Sequence, residues 1–418
     1  MLKYIVTQKG GFMKVLGIIA EYNPFHNGHQ YHIEAAKRQS GADAVVVVLS
    51  GNFTQRGEPA LLEKHTRAQA ALFGGADLVL ELPSLFSAAS AEYFAWGGIS
   101  ALHATGVVSS ISFGMEGNSI TPLMEVAQIL SSEPPLFQEA LKNALATGCS
   151  YPKARALALA EVTGCAEELL QQPNNILAIE YLKANIRLGN PFSILPIQRQ
   201  GAGYHDADLV AEHYPSASAL RNALHTADLS SFMPASAHAL LADAILQGDI
   251  SNPNALFLPI VTLLRAKPIE ELQQLPYVSE GLEYRCKQAV LSSSSYAQLL
   301  DACSTVRYPR ARIRRIFTSL LTGATAEDLA YGKETGIPYL RVLAFNEIGR
   351  TLLKEMKNAA TLPIITKPAA LHTLPDFASR VAQLESNATD VRSLTCQTVK
   401  PAGQDFSTTP LYQASAHS

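Results

Sequence analysis

The sequence predicts a doubly wound α/β fold, a parallel sheet covered by helices on both faces, followed by a mainly α-helical domain. Three observations carry this. Short apolar runs alternate with stretches of helical spacing from Val15 to Phe113. After Ser230 nearly everything has helical spacing, broken at Pro253, Pro268, Pro276 and Pro338. With 418 residues, 47% of them hydrophobic, the chain can bury more than one core.

Each element follows from its local pattern. Residues 15–20 form a continuous apolar run, as a strand buried on both faces requires. A loop spans 21–27, a helix 28–38, and a second buried strand 44–49, four of whose residues are valine. Together these make a βαβ unit. The alternation repeats with a helix over 63–73, a strand over 77–82, a helix over 87–104 and a strand over 108–113. Beyond Thr121 the spacing predicts helices over 136–146, 154–162 and 175–186, then a strand over 192–198. We expect an N-terminal extension (1–12), a catalytic α/β domain (13–230), a helical domain (231–394) and a polar, disordered tail (395–418). Met13 directly precedes the first strand, so the extension reads as a loose tail or as the product of an upstream start.

Composition excludes several classes. The formal net charge is -3, so any nucleic-acid binding needs a local basic patch. The five cysteines form no CxxC pair, which argues against a disulfide framework or a structural zinc site and fits a reducing cytosol. There is no apolar run of about 18 residues and no signal-peptide pattern. The expectation is a cytoplasmic protein with no membrane partner.

The most informative stretch is Ile19-Ala20-Glu21-Tyr22-Asn23-Pro24-Phe25-His26-Asn27-Gly28-His29, between the first strand and the first helix. His26 and His29 share one helix face. Gly28 lets a ligand approach the backbone. The helix start adds free N–H groups and partial positive charge. Two imidazoles, a glycine and that dipole form a cradle for polyphosphate, suited to in-line displacement at the α-phosphorus of a nucleotide. Fixed donors stabilise the charge that spreads over the phosphoryl oxygens, and no protein nucleophile is needed. A lone His-x-x-His is more often a pair of surface histidines; the strand, loop, glycine and helix around it favour the cradle. Zinc would need further ligands, and although Glu21 and His32 are near in sequence, no HExxH pattern exists.

These residues resemble the HxGH nucleotidyltransferase superfamily, and within it the bacterial tRNA(Met) cytidine acetate ligase family. The resemblance rests on Gly17 to His29, Ser50-Gly51-Asn52-Phe53-Thr54-Gln55-Arg56-Gly57-Glu58-Pro59, Gly75 to Pro83, Pro173-Asn174-Asn175-Ile176-Leu177 and Gly201-Ala202-Gly203-Tyr204-His205-Asp206, and spans 13–368. It implies a two-step activity. Acetate attacks the α-phosphate of ATP to give acetyl-adenylate and pyrophosphate. The wobble cytidine of elongator tRNA(Met) then takes the acetyl group on N4. The resemblance further implies that Ile19 to Gly28, then His29, Gln30, Tyr31 and His32, line the ATP. Gly114 would approach it after its strand, and Asn174 or Asn175 and Arg199 would contact it from the later part of the catalytic region. Magnesium is expected with the ATP phosphates, although no dedicated carboxylate cage is visible. One departure is Phe113-Gly114-Met115-Glu116, where the family pattern has serine in place of Met115, so a hydroxyl contact there is lost.

Other residues carry weaker signals. Asn52, Gln55 and Arg56 follow the second strand and are either a solvated loop or substrate and tRNA contacts. Lys64 and Arg67 begin a helix, where cations oppose the dipole, so they read as phosphate or RNA contacts. Ser216 is a natural N-cap; alternatively Ser216, Ser218 and Arg221 hold the β- and γ-phosphates. Arg307, Arg310, Arg312, Arg314 and Arg315 fall in a segment without acids, with Tyr308 interleaved. Given the tRNA substrate that the resemblance implies, they read as backbone-phosphate contacts rather than a solvated face. The single Trp96 reads as core. Two rivals stay open: an adenylyltransferase for a phosphorylated small molecule, which would need no arginine cluster, and a non-catalytic RNA-binding protein, against which the intact His26, Gly28 and His29 speak.

Overall fold

Ala44–Ser50 is buried along its whole length. Alternate side chains of a strand point to opposite faces, and here Val46 and Val48 enter one apolar cluster while Val45, Val47 and Leu49 enter another. A strand with two buried faces belongs in the middle of a helix-covered sheet. The computed structural model, which describes residues 5–6, 12–149, 151–198 and 214–414, places it there.

The parallel strands are β1 (Val15–Ala20), β2 (Ala44–Ser50), β3 (Leu78–Leu82), β4 (Ser110–Met115) and β5 (Ser193–Gln198). They lie in the order β3-β2-β1-β4-β5. The chain therefore runs outward from β1 in one direction, then returns to build in the other from β4. In such sheets the ligand crevice lies beyond the carboxyl ends of the strands where the order reverses, here between β1 and β4.

Three findings depart from the sequence expectation. The helical region contributes a strand to the sheet: β6 (Leu340–Phe345) pairs antiparallel with β3, with a bulge between Val79 and Leu80. Two short parallel strands, β7 (Ile364–Ile365) and β8 (Leu411–Tyr412), share its far edge. Secondly, a boundary near residue 230 separates no cores, because Leu229, Met233 and Leu241 join the cluster that holds Val45 and Leu16. The helices Phe257–Ala266, Leu282–Ser292, Tyr296–Cys303 and Arg310–Thr322 do build a separate apolar cluster, which also takes in Phe53 from the loop after β2. Thirdly, the tail expected to be disordered is folded as far as it is described: Thr395, Cys396 and Asp405 are buried and β8 joins the sheet.

Asp405 shows why a polar tail is held. Lys64, fully buried, forms ion pairs with Glu81 at 2.5 Å, Glu385 at 3.0 Å and Asp405 at 2.8 Å. Arg341 reaches Glu81 at 3.4 Å and Asp405 at 3.0 Å. The cluster joins β3, β6, the helix Lys64–Phe73, the helix Asp376–Ser393 and the C-terminal segment. No helix among the described residues is long and apolar enough to cross a membrane.

Candidate active site

The loop after β1 leads into the helix Asn27–Ser40, and its first turn is built by the two histidines themselves. The Gly28 N–H donates to His26 Nδ1 at 3.1 Å, and the His26 N–H donates to His29 Nδ1 at 3.3 Å. This is a capping box in which imidazoles take the places usually held by Ser and Glu. The rings stack, with centroids 3.7 Å apart and planes 28° from parallel. Because each Nδ1 accepts a backbone N–H, the proton of each neutral ring sits on Nε2, which is then a hydrogen-bond donor. A Cβ at Gly28 would lie 2.9 Å from the His26 ring, so only glycine leaves the stack undisturbed.

Deeper groups fix the loop. Tyr22 is buried at φ +46°, its ring 4.8 Å from those of Phe25 and His29. Its hydroxyl has no hydrogen-bond partner among the described residues, and burial pushes its pKa up. Asn23 Oδ1 accepts the Leu61 N–H at 2.7 Å, and the Asn23–Pro24 peptide is cis. Arg221 donates to the Asn23 carbonyl at 2.7 Å and to Ser218 Oγ at 3.2 Å. Ser216 caps the helix Ala217–Ala223 by accepting the Ala219 N–H.

A cavity of about 500 Å³ opens over the β1–β4 crevice, a size suited to a nucleotide and a small co-substrate. Ile19, Ala20, Glu21, Tyr22, Asn23, His26, Gly28, His29, Tyr31 and His32 line it from the first crossover. Gly114 and Asn174 line it from the far side of the crevice, and Ser216, Ser218 and Arg221 from the later helix. His32 Nε2 meets Ser112 Oγ of β4 at 2.9 Å. Of the two asparagines, Asn174 faces the cavity, while Asn175 is fully buried and accepts the Glu116 N–H at 2.9 Å. Besides Asn175, four expected residues stand outside the lining. Pro24 and Phe25 are buried beneath the loop, with Phe25 against Gly74. Asn27 donates to the Ser231 carbonyl, and Gln30 to Glu34. Met115 is buried in the apolar core, so position 115 supplies no wall of the cavity. Arg199 and the segment 201–206 lie outside the described residues.

The cations divide in a way the sequence does not reveal. Lys64 and Arg67 cannot be RNA contacts, because both are completely buried. Arg67 donates to the carbonyls of Glu21 (2.7 Å), Gly51 (2.5 Å) and Leu62 (3.0 Å), clamping the loops that follow β1 and β2 from behind. Burial lowers its pKa to about 10. The acids missing from the arginine segment arrive from elsewhere in the chain. Arg307 pairs with Glu280 at 2.5 Å, Arg310 pairs with Asp301, and Arg312 donates to the Tyr277 carbonyl at 2.7 Å. Arg307 and Arg310 remain exposed. Arg314 pairs with Glu58 at 3.0 Å, and Arg315, beside Arg56, lines the cavity. Burial lowers the Arg56 pKa, while Glu21 and Glu58 oppose that effect. Glu58, Phe94, Tyr181 and Tyr214 also line the cavity without having been singled out in the sequence. Glu58 stood inside a recognised motif; the aromatics gave no local signal distinct from core.

Stacked imidazoles at a helix start, opening on a crevice at the strand-order reversal, define an α/β enzyme built to handle a nucleotide. Residues 13–406 match the model of the family described as HIGH Nucleotidyl Transferase, and the chain belongs to that family. It is 39% identical over 409 residues to the tRNA(Met) cytidine acetate ligase of Acetivibrio thermocellus, covering 94% of this chain and 98% of that one. It is 38% identical over 415 residues to the enzyme of the same name from Syntrophomonas wolfei, covering 96% and 99%. The crystal structure of apo Thermotoga maritima TmcAL superposes with a TM-score of 0.90 at 33% identity, covering 96% of this chain and 100% of that chain. The form of that protein bound with alpha-thio ATP gives 0.89 at 32%, with the same coverage.

Proposed function

We propose that the chain is a tRNA(Met) cytidine acetate ligase. The observation that carries this reading is the His26–His29 stack, whose Nε2 donors serve a cavity already walled by Gly114, Asn174, Ser218 and Arg221. An α-thio ATP complex is known for a structure similar along nearly the whole chain.

In the first step an acetate oxygen attacks the α-phosphorus of ATP, and pyrophosphate leaves with the bonding electrons. His26 and His29 donate hydrogen bonds to the oxygens on which charge accumulates. The β- and γ-phosphates extend toward Ser216, Ser218 and Arg221. The purine ribose end lies in the β1–β4 crevice, with Gly114 approaching it through the backbone and Asn174 at its edge. In the second step the N4 amine of the wobble cytidine attacks the acetyl carbonyl. One proton leaves the amine, AMP departs, and N4-acetylcytidine forms. Arg307 and Arg310, exposed at the start of the helix Arg310–Thr322, would meet the tRNA backbone.

Glu21 and Glu58 are the carboxylates that line the cavity, and among the described residues no cluster of three or more His, Cys, Asp or Glu could hold a metal. That donor set fits magnesium carried in on the triphosphate, with phosphate and water as most of its ligands. The ion would supply charge neutralisation of the phosphates.

The test is to incubate purified protein with radiolabelled acetate, ATP and total tRNA, digest the tRNA and identify the labelled nucleoside. N4-acetylcytidine confined to elongator tRNA(Met) is the expected product. Label entering no RNA would overturn the reading.

A further inference from the structure

Arg315 enters the cavity from the helical half of the molecule, over the loop that follows β2. Its Nε donates to the Gln55 carbonyl at 2.8 Å, and Gln55 in turn donates its N–H to Glu21 Oε1 at 2.8 Å. The two terminal nitrogens of Arg315 have no hydrogen-bond partner among the described residues, although the side chain lines the cavity. Burial lowers its affinity for its proton. Arg315 is half-buried, so these donors face the cavity, where a ligand can take them.

The fork is rigidly held. The loop packs so closely that a Cβ at Gly57 would lie 2.6 Å from the Arg315 backbone nitrogen, and Thr318 Oγ1 donates to the Gly57 carbonyl at 3.1 Å. An apolar wall stands next to it. The Ser90 N–H donates to the Tyr277 hydroxyl at 3.0 Å, Ala91 and Phe94 of the following helix line the cavity, and the Arg315 guanidinium lies 6.0 Å from the Tyr277 ring centroid. A planar two-donor cation beside small apolar surface is what a short-chain carboxylate needs at its two ends.

This anchor stands on a different element from the phosphate anchors. Ser218 and Arg221 stand against Asn23, beside the histidines, and the nucleoside crevice lies between β1 and β4. Arg315 sits over the β2 loop and is linked through Gln55 to Glu21.

We propose that Arg315 binds the carboxylate of the acyl substrate, holding one oxygen while the other faces the α-phosphorus. This rests on the ligase reading above and names the residue that reads its smallest substrate. An RNA phosphate or the ATP polyphosphate could in chemistry occupy the same fork, so the test separates the three.

The measurement is acetate-dependent ATP–pyrophosphate exchange by the full chain without tRNA, followed by acetyl transfer to tRNA. In Arg315→Gln the KM for acetate should rise by ~10–100-fold, the loss expected for a charge-assisted pair, while the KM for ATP stays within about twofold. Arg315→Lys keeps the cation but not the fork and should fall between; it gives the same comparison if the glutamine variant fails to fold. An unchanged KM for acetate with a raised KM for tRNA would assign the fork to RNA and overturn the proposal. An equal rise in the KM for ATP would assign it to the polyphosphate and overturn it too. Wild-type exchange that ignores acetate would instead sink the ligase reading itself, so the two failures are distinguishable.

Discussion

At positions 26 and 29 one pair of side chains does two jobs. The Nδ1 atoms cap the helix, and that very bonding fixes the protons on Nε2, where a phosphoryl group needs them. His29→Ala should therefore lose on both counts: ~1 kcal/mol of stability from the broken cap and ~100–1,000-fold in pyrophosphate exchange from the missing donor. Thermal melts and exchange rates measured on the same preparation check this; a melt shift with unaltered exchange would confine the ring to a capping role. This pair was legible in the sequence because strand, loop and helix are contiguous, so local order dictates the geometry. Lys64 and Arg67 were not legible. Their partners Glu385 and Asp405 lie more than three hundred residues away, or are backbone carbonyls, and a cation at a helix start looks the same whether it faces solvent or core. Arg67→Ala would leave the carbonyls of Glu21, Gly51 and Leu62 without their donor, at ~1–3 kcal/mol for each buried group left unsatisfied. Urea denaturation should show that loss.

The elements that position the site divide into those that local pattern announces and those that only packing explains. β1 to β4 were readable as short apolar runs bounded by loops, and β5 as a strand although it is only partly buried. β6 was not, because a short apolar run such as Tyr339–Phe345 fits a buried helix equally well, and its neighbours have helical spacing. What makes it a strand is the open edge of β3, which needs a partner for its backbone. The loop after β2 is the joint between the two halves. Gly57 has φ +71°, and a side chain there would strike the backbone of the helix Arg310–Thr322. Gly57→Ala combines an unfavourable left-handed residue with a steric clash, so it should cost more than ~1 kcal/mol. It should also raise the KM for acetate, since the helix carrying Arg315 must move away. Unaltered acetate dependence in a folded Gly57→Ala protein would mean the loop and helix are not coupled as described.

Across the whole molecule, the buried ion cluster is where distant segments meet, and its charge does not balance. Three carboxylates, Glu81, Glu385 and Asp405, face two cations, Lys64 and Arg341. Burial raises the Glu385 pKa to about 8, and Glu81 and Asp405 add to the rise against the opposing pull of Lys64. Asp405 is held low instead: burial works against it, but Lys64 and Arg341 outweigh that. The sign follows from linkage. An unfolded chain ionises this glutamate near its ordinary value of 4.5 and the folded one near 8. Between those values the folded state binds the extra proton, so stability falls as pH rises through that window. Below pH 4 the opposite loss sets in, as Asp405 is forced to take a proton in the folded state. Glu385→Gln should remove most of the first slope, up to ~1.4 kcal/mol per pH unit for one proton, while leaving the acid-side loss in place. The cluster also explains why the C-terminal segment is held down: cutting the chain before Asp405 removes a carboxylate that pairs with both Lys64 and Arg341, and breaking a buried pair by removing one partner costs ~3–5 kcal/mol. Urea unfolding of the full chain, the truncated chain and Glu385→Gln from about pH 2 to pH 9 measures all of this at once. A Glu385→Gln protein with the same slope as the parent would show that the extra proton resides on another group of the cluster.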